Sequence, residues 1–177
     1  FHKKGTPLDV HMIVSSNRLD IKQLTTFDTT KMKPIDELFT GFQMAFTFKT
    51  LAKNFTDSTM ALPHGEFFID KLCGQFKHYP RRLENLKADI VIDSGSVKIA
   101  GFSGKLGGKK GKSDFSLTGS FRNYAMWFKK EIKGTSEIVF DLTSDTLRFN
   151  RTFSYKNHNY IPESFQREML RGLKLKG

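Results

Sequence analysis

Apolar and polar residues alternate along most of this chain, and that alternation constrains the fold more than any other feature of the sequence. In "LDVHMIVSS" the apolar residues Leu8, Val10, Met12 and Val14 all fall on one face of an extended strand. Because successive side chains of a strand point to opposite faces, each stretch of this kind has one apolar face and one polar face. The sequence therefore predicts a mainly β fold.

Similar stretches recur about every ten residues and are separated by short polar turns. The segment "LKADIVIDSGSVKIA" predicts a hairpin that turns at "DSGS", residues 93–96. Consecutive strands joined by such short connections pair antiparallel. The pattern thus predicts an antiparallel, meander-like sheet.

Only two segments favour helix, and both are short. "KPIDELFTGF" predicts one helical turn that opens at Pro34, and "IPESFQREMLRG" predicts a helix with Pro162 near its first position and Gly172 as its stop. Residues 25–33 are polar and unpatterned, so they form the predicted loop or linker. We find no firm domain boundary and treat residues 1–177 as a single segment, expected to be a fragment of a longer protein because it begins at Phe1 and ends on "LKLKG".

Two distant phrases resemble each other. "IVSSNRLDI" and "DLTSDTLRF" place Ser16 over Ser144 and Leu19 over Leu147. Each phrase predicts a strand, a polar corner and a short return strand, and the agreement of the flanking pattern favours a repeated structural unit. Generic hairpin chemistry is the alternative explanation, since polar corners of this type are common in β proteins.

The charge balance favours an anionic partner. The chain carries 29 Lys and Arg against 18 Asp and Glu, a formal charge of +11, which suits nucleic acid, phospholipid headgroups or lipopolysaccharide. However, its 18 Phe residues lie mostly two apart along strands, as on a buried sheet face, and its cations are spread over turns. We therefore expect no nucleic acid. The single Cys73 excludes an internal disulfide, and no apolar run is long enough to span a membrane.

The sequence shows no constellation that carries chemistry. "GKLGGKKGKSDF" ends like a phosphate-binding P-loop, but Leu106 occupies the place of the first glycine and a strand follows instead of a helix. This stretch therefore predicts a basic hairpin. The five histidines are scattered, Cys73 has no cysteine partner, and no nucleophile elbow is present. We expect no enzyme, no metal and no cofactor.

Several clusters of cations lie beside aromatic or aliphatic residues, as in "YPRRL" and "WFKKEIKG". Such clusters predict contact with anionic headgroups at a membrane surface, whereas a solvated rim is the alternative. The predicted headgroup-facing basic rim comprises Arg81, Arg82, Lys109, Lys110, Lys112, Lys129 and Lys130.

Longer phrases resemble a known family. "ADIVIDSGSVKIAGFSGKL", followed after the basic insert by "KSDFSLTGSFRNY", resembles the C-terminal region of AsmA-family proteins, particularly their Bacteroidetes-like branch. The phrases "SSNRLDI" and "TSDTLRF" are similar to its recurrent unit phrase, and "YIPESFQREMLRGLKLKG" is similar to the opening of a following unit. The resemblance covers residues 5–177, and the lysine-rich "GGKKGK" turn departs from the family pattern.

The resemblance implies a sheet curled into an open apolar groove, similar to the repeating β-groove lipid-transfer proteins. It also implies a periplasmic segment tethered to the inner membrane through parts absent from this chain, with a non-catalytic role in phospholipid transport and outer-membrane assembly. Its partners would be phospholipid acyl chains, an anionic membrane surface and neighbouring segments of the same protein. The predicted lipid-lining residues are Val10, Met12, Val14, Met44, Phe46, Phe48, Ile90, Ile92, Val97, Ile99, Phe115, Leu117, Ile138, Phe140 and Leu142.

The same apolar faces also fit a closed β-sandwich or barrel-like module, which would act as a scaffold or adhesion element without lipid cargo. Alternation identifies the apolar face of a strand but not what covers it, so both geometries stay open at this point.

Overall fold

The chain forms one extended sheet and a separate small hairpin. A computed structural model describes residues 5–25, 35–55, 64–107, 111–127, 133–149 and 152–177. The strands are β1 (Pro7–Asp20), β2 (Leu38–Leu51), β3 (Gly65–Phe76), β4 (Arg82–Ile92), β5 (Ser96–Gly107), β6 (Ser113–Arg122), β7 (Glu137–Arg148), β8 (Ser154–Tyr155), β9 (His158–Asn159) and β10 (Met169–Lys176). The helical elements are α1 (Ile21–Thr25) and three 3₁₀ turns, Ala52–Phe55, Tyr124–Trp127 and Glu163–Phe165.

The sheet is an open antiparallel meander. Its strand order is β1-β2-β3-β4-β5-β6-β7-β10, and β8 pairs only with β9. Every strand pairs antiparallel with its neighbour in the sheet, and β1 and β10 stand at the two edges. The predicted fold class is confirmed: the chain is mainly β, the sheet is not closed, and its helices are few and short. The closed module that the alternation left open is not what the chain forms.

Exposure on the apolar face differs between the inner strands, which we call the floor of the groove, and the strands near its two edges, which we call its walls. On the apolar face, Phe48 and Ala88 of the inner strands are each 6% exposed, whereas Met12 on one edge strand is 40% exposed and Ile138 near the other edge is 52% exposed. Strands on both sides shield the inner positions, whereas positions near the edges of this open layer lack a neighbour on one side, so the apolar face is covered most at its centre. The chain exposes 12558 Å², whereas a compact monomer of 20.3 kDa exposes about 8,800 Å².

The turn between β4 and β5 lies where "DSGS" predicts it. The Asp93 carboxylate accepts hydrogen bonds from the backbone N–H of Gly95 at 2.8 Å and of Ser96 at 2.6 Å. These bonds close an Asx-type turn and hold the pKa of Asp93 below its ordinary value. Tyr124, only 1% exposed, donates a 3.1 Å hydrogen bond to the Asp93 carbonyl and covers the turn.

Glycines beside aromatic residues allow the rings to pack closely against the backbone of the sheet. A Cβ at Gly65 would stand 2.4 Å from a ring carbon of Phe48, and one at Gly119 would stand 2.3 Å from the Val139 carbonyl oxygen and 3.3 Å from Cβ of Phe140. The 2.4 Å distance at Gly65 and the 2.3 Å distance at Gly119 are too short for a Cβ, so no side chain fits at either position. The glycines therefore permit the close approach that the floor of the groove requires.

Two sequence-based predictions of local structure are wrong. Residues 162–172 do not form a helix: only Glu163–Phe165 is helical, and Met169 already begins β10, which pairs with β7. The turn predicted to open at Pro34 has its first residue outside the described residues, and from Leu38 onward the chain is the strand β2. In both places pairing with a neighbouring strand outweighs a weak local preference for helix.

The two repeated phrases do not form corners. Ser16 lies within β1 opposite Phe42, and Ser144 lies within β7 opposite Leu173, so each phrase is part of one continuous strand. The predicted strand-corner-return unit is therefore wrong. Of the predicted linker, residues 25–33, only Thr25 lies within the described residues, where it ends α1.

Candidate apolar groove

The concave face of the sheet carries continuous apolar rows. Cross-strand partners share a face, so the register identifies each row. One row crosses all eight strands and runs from Met12 through Phe46, Ile69, Ala88, Phe102, Leu117 and Leu142 to Leu175. Apart from short turns and the β8–β9 hairpin, no second layer packs on the sheet within the described residues.

The register places the fifteen predicted lining residues on this one face. Val10 pairs with Phe48, and Ile90 pairs with Ile99 in the same row. Their assignment as lipid-lining residues stays a prediction. The structure adds positions that the prediction omitted, above all in β3, where consecutive apolar residues hide the alternation: Phe67, Ile69, Leu72, Leu86, Ala88, Phe102, Phe121 and Leu175.

Most side chains on the opposite face are polar, and Ile13 and Val139 are exposed apolar exceptions. His11 Nδ1 lies 2.9 Å from Thr47 Oγ1, and the ammonium of Lys49 lies 5.6 Å from the ring centre of Phe68. A shallow depression of about 230 Å³ on strands β4 to β7 is lined by Lys87, Ser103, Lys105, Ser116, Thr143 and Asp145, among others. The two faces therefore differ in chemistry along the whole sheet, as the alternation predicts.

Side chains complete the sheet where the β6–β7 ladder ends. Backbone pairing between these strands stops at Ser116 and Thr143. Beyond that point Asp114 Oδ1 accepts hydrogen bonds from Thr146 N–H at 3.0 Å and from Ser144 Oγ at 2.9 Å. Burial raises the pKa of Asp114, but these hydrogen bonds outweigh it and the net pKa lies below the ordinary value. One carboxylate thus replaces backbone acceptors at this end of the groove.

The predicted basic rim divides into three parts. Arg81 is only 3% exposed, and its Nη1 donates to the carbonyls of Leu106 at 3.4 Å and Gly111 at 3.3 Å, so it is not a solvated rim residue. Arg82 is exposed, and Lys112 forms a 2.7 Å ion pair with Glu84. The remaining predicted rim residues lie outside the described residues: Lys109, Lys110, Lys129 and Lys130.

A second arginine converges on the same loop as Arg81. The guanidinium of Arg148 lies against Gly111, because a Cβ built there would be 2.8 Å from Arg148 Nε. That Nε is buried and has no hydrogen-bond partner within the part of the chain that the structure describes, while the Arg148 backbone N–H donates to Ser113 Oγ at 2.9 Å. Burial lowers the pKa of Arg81, and the positive charge of Arg148 lowers it further.

The β8–β9 hairpin covers this end of the groove. It leaves the sheet after β7, yet Tyr155 Oη donates a 2.5 Å hydrogen bond to Glu37 Oε1, just before β2, and Tyr79 Oη donates to the Thr152 carbonyl at 2.9 Å. Glu37 and Thr152 are both buried. The hydrogen bond to Glu37 raises the pKa of Tyr155 to about 12. The strand ends at this side are therefore bridged, whereas the β4–β5 turn lies at the other side.

Neither chemistry nor comparison assigns a function. The described residues include no group of three His, Cys, Asp or Glu side chains placed to hold a metal, and the helices among them are too short to cross a bilayer. Comparison with protein-family models, curated proteins and solved structures finds no match for the chain. Only the residues and their geometry therefore point to a function.

Proposed function

We propose that this chain is a non-catalytic lipid-binding segment whose concave apolar face takes up phospholipid acyl chains. In the wider proposal it belongs to a periplasmic protein of the AsmA type, tethered to the inner membrane through other parts, which carries phospholipid towards the outer membrane. The observation that carries the proposal is the eight-stranded apolar row on a single open layer, with edge residues such as Met12 and Ile138 left exposed.

The dimensions suit an acyl chain. Strand β4 has 11 residues and so extends about 36 Å, whereas one leaflet of a bilayer has a hydrocarbon depth of about 15 Å. A tail lying against an open face loses about half of its contact with water, so a tail of ~16 methylenes gains roughly 6 kcal/mol. The cost of immobilising the tail reduces this gain, so the open face suits exchange of a cargo more than permanent storage.

Two pairs of neighbouring residues provide a matched test. Met12 and Ile138 are exposed on the apolar face, while Ile13 and Val139 are exposed on the opposite face of the same strands. The double variant Met12→Asp/Ile138→Asp places two charges in the groove, and Ile13→Asp/Val139→Asp places the same charges outside it. Because all four residues are solvent-exposed, we expect both variants to keep the wild-type circular dichroism spectrum and a similar urea midpoint.

Native mass spectrometry after incubation with phosphatidylethanolamine and phosphatidylglycerol then measures binding. We expect phospholipid adducts on the wild type and on the outer-face variant, and markedly fewer on the groove variant. A folded wild-type protein without adducts would contradict the proposal and favour a scaffold or adhesion role. Equal loss of adducts in both double variants would also contradict it, since the loss would then not depend on the apolar face.

A further inference from the structure

Two arginines at the covered end of the groove form an unusual pair. Arg81 precedes β4 and Arg148 ends β7, yet both guanidinium groups lie against Gly111 in the connection between β5 and β6. The two side chains carry the same charge in a partly buried place, which is unfavourable unless negative charge compensates it. Among the described residues Arg148 makes no ion pair with a carboxylate.

The described residues around the pair supply further donors but no carboxylate that pairs with Arg148. Among these residues Arg148 Nε is buried without a partner, and Ser113, only 1% exposed, lies beside the Arg148 backbone. Lys112 is directed elsewhere, since its ammonium pairs with Glu84. A planar guanidinium with an unused Nε–H is the group that recognises a phosphate oxygen with two parallel hydrogen bonds.

We propose that Arg81 and Arg148 form a phosphate-binding site at the covered end of the apolar groove. The ligand is a phosphate group, supplied either by a lipid headgroup or by free inorganic phosphate. The lipid source rests on the proposed function, because it needs the apolar face for the tail.

An amphiphile fits this arrangement. The Leu106 carbonyl accepts a hydrogen bond from Arg81, and Leu106 pairs with Leu83 in the apolar row nearest the pair. The next row along the groove contains Leu86, and the ring of Phe115 lies against Gly104 beside it. A phosphate held between the arginines would thus have apolar side chains immediately beside it, and its acyl chain would extend towards the β4–β5 turn.

The Arg148 Nε–H group offers a direct readout. In a ¹⁵N-labelled protein its signal is identified as the one missing from Arg148→Gln. Titration with inorganic phosphate, and separately with decyl phosphate, should shift that signal in the wild type. Arg148→Gln should weaken phosphate binding about tenfold or more, because it removes charge-assisted hydrogen bonds. Arg171→Gln, which changes an exposed arginine on β10 opposite Thr146, should bind like the wild type.

The outcomes separate this site from the proposed function. Tighter binding of decyl phosphate than of inorganic phosphate supports a lipid headgroup, and equal binding supports free phosphate while counting against the groove. No shift of the Arg148 Nε–H signal with either probe overturns the site, even if phospholipid adducts form on the protein. An equal loss of affinity in Arg171→Gln and Arg148→Gln also overturns it, because the effect would then reflect net charge alone. If Arg148→Gln does not fold, Arg148→Lys identifies the Nε–H signal instead. Titration of the wild type then still decides whether phosphate binds at Arg148.

Discussion

The carboxylate of Asp114 stabilises the groove by joining β6 to β7 beyond the end of their backbone ladder. Asp114→Ala leaves the Thr146 N–H and the Ser144 hydroxyl without their acceptor. Ser144 is only 6% exposed, so water replaces that acceptor poorly. Each buried donor left unsatisfied costs about 1–3 kcal/mol, and we therefore expect Asp114→Ala to lower the free energy of unfolding by roughly 2–5 kcal/mol.

Two variants isolate the cause. Asp114→Asn keeps an oxygen acceptor and removes only the charge, so we expect it to cost about 1 kcal/mol. Asp145→Ala removes an exposed carboxylate from the neighbouring strand, and we expect a change within about 0.5 kcal/mol. Urea unfolding with linear extrapolation measures all three free energies. A cost for Asp114→Ala no larger than that for Asp145→Ala would refute the reasoning.

The pH dependence provides an independent check on Asp114. Its folded-state pKa lies below the ordinary value, so the contribution of its charge is present above the unfolded-state pKa and is lost as the pH falls through the folded-state pKa. We therefore expect the difference in unfolding free energy between the wild type and Asp114→Asn to be constant near neutral pH and to disappear in acid. A difference that does not change with pH would show that the charge plays no part.

Two further predictions concern the floor and the covered end of the groove. Gly119→Ala should lower the free energy of unfolding in urea by about 1–3 kcal/mol, because its Cβ would stand 2.3 Å from a backbone carbonyl oxygen. A Cβ at Gly101 would meet no atom within 4 Å, so Gly101→Ala should be neutral. Equal losses of stability in the two variants would contradict the steric explanation. The Tyr155 hydrogen bond to Glu37 should persist up to about pH 10 and be lost as the pH rises through about 12, because the raised pKa favours the neutral phenol in the folded state. The pKa values of Tyr79 and Tyr124 are also raised by burial, so phenolate absorbance should show a late-titrating component that loses one tyrosine in Tyr155→Phe and none in Tyr160→Phe.

Much of the architecture follows from local pattern. Alternation identifies most strands and their apolar faces, and the "DSGS" turn closes through the Asp93 side chain, whose bonds span only two or three residues. Prediction fails where a local signal conflicts with pairing. The spacing of Phe165 and Met169 is helical, but Met169 instead pairs with Arg148 on the edge of β7. Ser16 and Ser144 have the polarity of turn residues, yet without glycine or proline beside them they remain within strands.

The candidate sites depend on distant parts of the chain to different degrees. The apolar face could be predicted because its rows repeat the period of each strand, although β3 departs from that pattern since Phe67, Phe68 and Ile69 are consecutive. The convergence of Arg81 and Arg148 could not be predicted, because nothing in the sequence says which strand ends meet when the sheet curls. The burial of Arg81 could not be predicted for the same reason, so "YPRRL" predicts a headgroup-facing rim in which Arg81 would be accessible.

The meander order of the strands has a consequence for how the protein folds. From β1 to β7 every strand pairs with the strand before it, so each hairpin needs only a short stretch of chain and can add to a growing sheet in sequence. The bond between Tyr155 and Glu37 is different, because 118 residues separate its partners. The entropic cost of closing this long loop is offset only after the intervening strands have paired, so this bond forms late. Strands β1 to β7 are thus paired before this end of the groove is covered, and a chain stalled before β8 would present a seven-stranded apolar surface that lacks β10 and is still open at that end.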